Sequence, residues 1–565
     1  MLKLQSTLEE VPEKPETGPD EADPPKSTEE SQLDAIIIEI GQFGRFQIFN
    51  YLLLCLPIIC NAFYSISYVF TASDVLHRCN IIQCDSLDTS YEAPFLNFTT
   101  PQRHGIWDEC EHYAMRSDQV GSACRASSFH VGQRVNCEAG FKLKNDEKTI
   151  ASEFGIFCGD QWKLSMVGTV NNIGQFIGIP LGGYLADRYG RKFILVIAGI
   201  LSGFAGLARS YAPDYYSFLS LEFLDMAVGS TLFPTAFLLA VELVGPKHRV
   251  VAATVVSLTY GLAEAFMGYL ANYLRDWRSF LRMLYTPALL HLTFIYLLPE
   301  SVRWLLSQSK EMEAKSTLRR VAQVNRKVLP ESQLNDLIRS NRQLVAQSAA
   351  AGGHYSIRQI FKALGSRTAL CCFVWFTHTL IALGLSLHSA QLSGNKFENF
   401  SMTGFMQLPG ILMATTLMNW IGRRWALSSC QFTCAALLLA VAATDGGYPL
   451  TSSILYYLAK MVSTGSFMIL YFFTSEIFPT NCRNSMLSFC SSVGRFGSML
   501  APQTTLLIVY YRYAPHLLFA LFGFTCSGLA LFFPETTKKV LPTTLAEARA
   551  LDKSIPKEKV SKSAA

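Results

Sequence analysis

Long apolar runs recur through this chain, and they constrain its fold more than any other feature. A hydrocarbon core about 30 Å thick needs roughly 20 apolar residues per helical crossing. Twelve segments qualify, near 46–70, 164–186, 193–210, 215–243, 250–274, 279–298, 369–390, 402–421, 425–444, 450–473, 484–511 and 514–533. A chain folding in water has no use for twelve such runs. Helices satisfy their own backbone groups in lipid, so the expected class is an all-α membrane protein with twelve transmembrane helices.

Charge sets the expected orientation. Clusters of Lys and Arg follow segments 2, 4, 6, 8 and 10, in "DRYGRK", "GPKHR", the stretch 303–367, "GRR" and "NCR". The positive-inside rule makes those loops cytosolic, and with them both termini. The basic residues set topology and do not point to nucleic acid. The acidic, proline-rich opening, "EEVPEKPETGPDEADPP", reads as a disordered tail with no cleavable signal peptide. The loop 71–163 then faces outside. It carries Cys79, Cys84, Cys110, Cys124, Cys137 and Cys158, six of fifteen cysteines. An even set in an exported loop predicts disulfides, and the pairing stays open among fifteen possibilities. "NFT" at Asn97 is a glycosylation sequon in the same loop; a second, "NFS" at Asn399, lies close to the expected membrane surface.

Three signatures occur twice. "RYGRK" is echoed by "WIGRR", "ELVGPKHR" by "EIFPTNCR", and "LPESVRW" by "FPETTKK". The offsets, Gly190 to Gly422, Glu242 to Glu476 and Pro299 to Pro534, are 232, 234 and 235 residues. A near-constant offset predicts two six-helix pseudo-repeats rocking about a central site. The expected organisation is a cytosolic tail 1–45, a first half 46–298 containing the loop 71–163, a cytosolic linker 299–368, a second half 369–533 and a cytosolic tail 534–565.

Here the chain resembles a known family. "GGYLADRYGRK" is similar to the loop signature of the major facilitator superfamily. The paired Glu-x6-Arg motifs, the Cys-rich first loop, "ASEFGIFCGDQWK", "LPESVRWLLSQ" and "PETTKKVLPTTLAEA" resemble the organic cation, organic anion and carnitine transporters within it, over about residues 41–548. The resemblance implies the major facilitator fold and transport of small organic ions.

Asp187, Arg188, Arg191 and Lys192 lie on a tight turn after segment 2, with Arg423 at the matching position after segment 8. They read as gate charges that pair across the halves in one state and part in the other. Glu242 with Arg249, and Glu476 with Arg483, are the expected partners; the alternative is ordinary topology-setting loop charge. Segment 4 departs from the family, whose members usually carry an arginine where Glu222 stands and a glutamine or similar where Asp225 stands. Those two acids are expected to pair with Arg188 or Arg209. The second-half counterpart, Lys460, is retained.

Arg495 stands inside an apolar stretch. A charge at mid-bilayer costs about 2.5–3.5 kcal/mol on insertion scales, so it must face a partner or a wet cavity. Twelve residues beyond Arg483, it lies about 18 Å up its helix, near the midplane. Its fixed fork of donors suits a carboxylate. The resemblance agrees: cation transporters of the family carry an aspartate at this position, anion and carnitine members an arginine. Gln407 replaces an acid usual in cation transporters, and Ile411 stands where some anion transporters have lysine. Glu264, fifteen residues beyond Arg249, reaches a similar depth of about 22 Å. An acid and a base at one depth predict a substrate bearing both charges, or direct pairing of the two. Glu264 is also a candidate proton site. The resemblance places Trp375, Phe376, Phe467, Met468, Tyr471 and Tyr260 in the pocket lining, where core packing is the alternative for each. Ala382 and Leu383 replace its usual aromatics. Asn61, Asn171, Asn172 and Gln175 add polar groups or interhelical hydrogen bonds, and His378 reads as a satisfied polar residue.

There is no Walker A loop, HExxH, GxSxG or metal-spaced Cys/His set. No enzyme activity, cofactor or metal is expected. The expected function is alternating-access transport of a small organic zwitterion or anion across the plasma membrane, amino-acid-like, carnitine-like or an amine conjugate, with a co- or counter-transported ion an open possibility. The alternatives are a polyspecific organic cation carrier and a non-transporting sensor on a transporter fold.

Overall fold

The computed structural model describes residues 28–86, 89–103, 106–116, 124–245, 248–351, 357–444, 447–479, 482–537, 542 and 545–550. It opens with α1 (Thr28–Glu39) and α2 (Arg45–Ile66). After the first loop come α3 (Trp162–Tyr189), α4 (Arg191–Arg209), α5 (Tyr215–Gly229), α6 (Leu232–Glu242), α7 (Arg249–Leu274) and α8 (Trp277–Tyr285). A helical insert follows: α9 (Val302–Ser307), α10 (Glu311–Val324) and α11 (Glu331–Ala351). The remainder is α12 (Ile357–His388), α13 (Lys396–Ile421), α14 (Arg423–Thr444), α15 (Pro449–Ile477), α16 (Arg483–Leu500) and α17 (Ala514–Ala530).

Helix therefore falls on every apolar run. Among the described residues, eight helical stretches are long and apolar enough to cross a membrane. The α3, α13 and α16 helices are not among them, and α17 has only 17 residues. The shortfall has a chemical side. α3 carries Asn171, Asn172 and Gln175, α13 carries Asn399 and Gln407, and α16 carries Arg495. Polar side chains that lower a segment's hydropathy are the ones available to build a polar interior.

The two parts of the chain meet along α3 with α16 and along α7 with α13. Both contacts favour one end of the bundle, the end that bears the first loop. Ser165 bonds Thr505 at 2.9 Å, and Thr169 donates to the Met499 carbonyl at 3.0 Å. At Gly404 a Cβ would lie 2.5 Å from the Ala265 backbone nitrogen, so α7 and α13 touch nearly backbone to backbone. Lys396 crosses to Glu147 at 2.5 Å and to Ser73 at 3.1 Å.

Two expectations change. The tail is not disordered through residue 35: α1 is a helix. Leu33, Ile36, Ile37 and Ile40 repeat at helical spacing and are buried against Trp304, Leu318, Val321, Leu334 and Leu337. Each such side chain contributes about 1.5–3 kcal/mol of burial before ordering costs. Residues 1–27 lie outside the described residues. The linker, read as a polar loop, is the helical partner of α1. Asn325 ties the corner by donating to the Ile40 carbonyl at 3.0 Å and accepting from the Phe46 N–H at 3.0 Å.

The first loop adds strand to a helical chain. Short antiparallel ribbons pair β1 (His77–Cys79) with β6 (Phe141–Leu143), β2 (Gln102–Arg103) with β3 (Ile106–Trp107), and β4 (Glu111–Met115) with β5 (Phe129–Asn136). The disulfides are Cys79–Cys137, Cys84–Cys124 and Cys110–Cys158. They staple a segment that has little core of its own. Arg78 pairs with Asp85 at 2.6 Å beneath them. Asn97 is exposed. Asn399 is buried, and its amide donates to the Leu392 carbonyl at 3.1 Å, so it is no glycan acceptor in this fold.

Candidate functional site

The duplicated sequence signatures become duplicated geometry. Gly190, at φ +110°, turns α3 into α4 where a side chain is disfavoured. The Arg191 guanidinium pairs with Glu242 and donates to Ser301 at 3.1 Å, while Ser301 donates to Glu242 at 2.5 Å. Glu300 accepts from the first N–H groups of α4, Arg191 at 3.2 Å and Lys192 at 3.1 Å, an acid set at a helix N-terminus. The second part repeats this set. Arg423 pairs with Glu476 at 3.2 Å, Thr536 donates to Glu476 at 2.6 Å, and Glu535 accepts from the N–H groups of Arg423 and Arg424 at 3.0 and 3.1 Å.

Glu242 and Glu476 do partner the turn arginines, but within one half and without the arginines of their own motifs. Arg249 reaches Asp34 of α1 at 3.0 Å rather than Glu242, and Arg303 joins the same carboxylate at 2.5 Å. Arg483 has no ion pair with Glu476 within 4.0 Å among the described residues, because Arg423 already occupies that carboxylate. No gate charge pairs across the halves among the described residues. Asp187 lies 3.8 Å from Arg191 on its own turn, Arg188 bonds Tyr184 at 3.2 Å, and the Lys192 ammonium donates to the Ile295 carbonyl at 2.7 Å. The two caps differ electrostatically. Burial raises the Glu300 carboxyl above its ordinary value despite the backbone N–H groups around it. Glu535 is desolvated too, but hydrogen bonds from Thr537 and the Arg423 and Arg424 backbone outweigh that and hold it below.

Among the described residues, the interior charges that bear on a site gather around Arg209, Glu264 and Arg495. The first group surrounds Arg209, which is fully buried. Its guanidinium pairs with Glu222, lies 3.6 Å from Asp225, and donates to the Tyr285 hydroxyl at 2.9 Å. Ser202 and Tyr285 both donate to Asp225. Arg209 rather than Arg188 is thus the partner of both acids.

The second group joins the halves. Glu264 of α7 accepts from Gln407 of α13 at 2.5 Å and from Ser386 of α12 at 3.0 Å, with the Lys460 ammonium of α15 at 4.0 Å. Lys460 donates to Ser386 at 2.6 Å and to the Ala382 carbonyl at 3.2 Å. The structure brings together Glu264 and Gln407, both expected at the site on separate grounds. It assigns Glu264's charge to Lys460 instead of Arg495. Lys460 was legible as a charge inside segment 10; Ser386 carried no signal at all.

The third group is Arg495. It is half-buried, and Gln175 of α3 accepts from it at 3.0 Å. No carboxylate lies within 4.0 Å of it among the described residues. Tyr260 of α7 bonds Ser65 at 3.0 Å and packs edge-on against Phe233 at 5.4 Å.

Aromatic rings flank this region. Phe467 and Tyr471 lie seven and eleven residues beyond Lys460, on the same face of α15, and remain 36% and 39% exposed. Trp375 packs edge-on against both, at 5.7 and 6.2 Å, and its indole donates to Thr474 at 3.0 Å. His378 stacks on Phe467 at 5.1 Å and bonds Gln431 at 3.0 Å. Phe376 does not join them; it faces Phe522 of α17 at 5.9 Å. Met468 is half-buried against the core. Asn61 donates to the Gly229 carbonyl at 3.1 Å, tying α2 to the α5–α6 break, and so serves the frame. Asn171 donates to Glu222 at 2.7 Å.

Comparisons with known proteins agree with this architecture. Residues 148–502 match the model of the Major Facilitator Superfamily. The chain is similar to Solute carrier family 22 member 3 of Rattus norvegicus, 27% identical over 92% of this chain and 96% of the relative. It is also similar to the Organic cation/carnitine transporter 2 of Homo sapiens, 27% identical over 91% and 93%. The Organic cation transporter 1 of Caenorhabditis elegans is 26% identical over 93% and 90%. Among solved structures, the partially occluded inward open xylose transporter XylE from E. coli aligns with a TM-score of 0.56 at 13% identity, covering 85% of this chain and 98% of XylE.

Proposed function

Because the chain belongs to the major facilitator superfamily, we propose that it is a solute carrier of the plasma membrane for small organic ions that bear a carboxylate, zwitterions or anions. It works by alternating access between two six-helix halves, 46–298 and 369–533, across twelve spans. Both termini are cytosolic, and the disulfide-bonded loop 71–163 is outside. The single observation that carries the substrate class is Arg495: a half-buried guanidinium with one neutral acceptor and no carboxylate partner among the described residues. Placing such a charge in a membrane interior is costly unless something completes it, and a substrate carboxylate fits its donor fork. Tyr260, Phe467 and Tyr471 supply faces for the rest of the molecule, and an amine gains about 0.5–2 kcal/mol against such rings.

The ends of the bundle support the mechanism. The loop end is closed by Ser165, Thr505, Glu147 and Lys396, while the charged turns each keep their ion pairs within one half. That is the arrangement of a carrier open on the charged-turn side. Gating by Asp187, Arg188, Arg191, Lys192, Glu242, Arg249, Arg423, Glu476 and Arg483 then belongs to a state in which those turns approach.

A second reading, an organic cation carrier, is favoured by the relatives themselves, two of which are named as organic cation or organic cation/carnitine transporters. Uptake of labelled β-alanine, carnitine, an aryl carboxylate and a quaternary ammonium compound into cells expressing the full chain separates the two. Accumulation of the carboxylates supports the proposal. Accumulation of the quaternary amine alone makes the protein a cation carrier, and binding without accumulation makes it a sensor.

A further inference from the structure

Arg495 does not rest on Gln175 by chance of packing; the acceptor is presented to it by a chain of oriented amides. Gln175 accepts from Arg495 through Oε1 at 3.0 Å and donates through Nε2 to Asn171 Oδ1 at 2.8 Å. Asn171 donates through Nδ2 to Glu222 Oε1 at 2.7 Å, and the other oxygen of Glu222 faces Arg209. Asn171, Gln175, Glu222 and Arg209 are all buried, between 0% and 7% exposed.

The direction of this chain is fixed at its far end. A carboxylate offers acceptors, and the other oxygen of Glu222 faces the Arg209 guanidinium, which only donates. Asn171 must therefore turn its NH2 to Glu222 and its oxygen to Gln175. Gln175 must then turn its NH2 to Asn171 and its oxygen to Arg495. A reversed amide at either step would set donor against donor inside a buried site, which leaves polar groups unpaired. Hydrogen bonds in series also polarise one another. The negative charge of Glu222 is thus expressed at Arg495 as a correctly aimed neutral oxygen. That oxygen occupies one N–H of the guanidinium and leaves the others for a ligand, without neutralising the charge.

We propose that Gln175 and Glu222 are positioning residues for substrate recognition: through Asn171 they hold the Arg495 guanidinium aimed and uncompensated, ready for a carboxylate. This rests on the reading of Arg495 as the carboxylate anchor. A carboxylate at position 175 would compete with the substrate; an amide with its oxygen forward does not. The chain also spans the halves, since Gln175 is on α3 and Arg495 on α16.

The test uses the full-length protein and two readouts. Thermal melts of the detergent-solubilised protein compare Gln175→Glu, Arg495→Ala and the double variant with wild type. The contact predicts coupling: Gln175→Glu shifts Tm differently in the wild-type and Arg495→Ala backgrounds, by at least about 1 °C. Uptake kinetics with β-alanine and carnitine give the second readout. Gln175→Glu raises KM at least about tenfold, with maximal rate and surface amount within about twofold; Glu222→Gln raises KM less, because its amide faces Asn171 in either sense. Absent coupling overturns the proposal whatever Arg495 does. Coupling with an unchanged KM in Gln175→Glu also overturns it, making the chain a structural tie. An unchanged KM in Arg495→Ala, with coupling present, instead removes the carboxylate-anchor reading and the proposal with it.

Discussion

The two halves of this chain share a frame and differ in what fills it. At the turns the correspondence is close: Arg191, Glu242, Glu300 and Ser301 are matched by Arg423, Glu476, Glu535 and Thr536 in identity of role and of contact. Inside, the halves part. The first half buries an arginine, Arg209, and surrounds it with Glu222, Asp225 and Tyr285. The second half carries Arg495, whose acceptor is a single amide oxygen, that of Gln175 from the first half. A repeated turn preserves how helices enter and leave the bundle. It says nothing of whether an interior charge is spent on the fold or kept for a ligand, and neutralisation is what separates the two.

The sharpest way to break this comparison is to remove each arginine. Arg209→Ala leaves two buried carboxylates without their cation, which costs about 3–5 kcal/mol, a large share of a domain's net stability. The expected outcome is loss of mature protein at the cell surface, read by surface labelling. Arg495→Ala is expected to leave surface amount near wild type and to cut carboxylate uptake at least about tenfold, or about 1.4 kcal/mol of recognition. If the two variants behave alike, in either direction, the division of roles fails.

The inter-half pair offers an intermediate case. Lys460→Met strands Glu264 beside Ser386 and Gln407 and should destabilise by about 2–4 kcal/mol. Adding Glu264→Gln should recover most of that in a thermal melt, because a neutral pair no longer needs charge compensation. Recovery of stability without recovery of transport would place the charges in the transport cycle itself.

The helix caps give the smallest effect, with opposite signs. Glu535 titrates below its ordinary value of 4.5 when folded. Its stabilisation is fully present above that pH and is lost as pH falls through the folded value. Glu300 titrates above 4.5 when folded. Its contribution is greatest below that pH and is lost as pH rises through the folded value. At neutral pH, Glu535→Gln should therefore lower Tm more than Glu300→Gln. The difference is on the order of 1 kcal/mol once solvent screening of these half-buried groups is allowed for.

The sequence made the helical membrane class, the repeat and the turn charges legible, because apolar length and motif spacing are one-dimensional signals. Arg495, Glu264 and Lys460 stood out for the same reason: charge inside an apolar run is visible without a structure. What was not legible is partnership. Depth along a helix put Glu264 level with Arg495, but depth carries no azimuth, and Lys460 and Gln407 reached Glu264 first. Glu242 and Glu476 are legible as partners for the turn charges, but which half supplies the arginine is not: Arg191 and Arg423 meet them within one half instead of across the two. The α1 helix was hidden by the acidic, proline-rich residues before it, although Leu33, Ile36, Ile37 and Ile40 carry a helical period. Gln175 shows in the sequence as a polar group on segment 2 but without its partner, and Ser386 gives no signal, since a lone serine in a helix is ordinary until its neighbours are known.

Charge reversal at one residue tests the central claim most directly. Wild type and Arg495→Asp would be expressed in the same cells, with surface amounts matched, and uptake of labelled β-alanine, carnitine and a quaternary ammonium compound measured side by side. The account predicts that wild type accumulates the carboxylates and that Arg495→Asp loses them while remaining at the surface. Uptake of the quaternary amine by wild type, unchanged in Arg495→Asp, would contradict it and make Arg495 a charge of the fold.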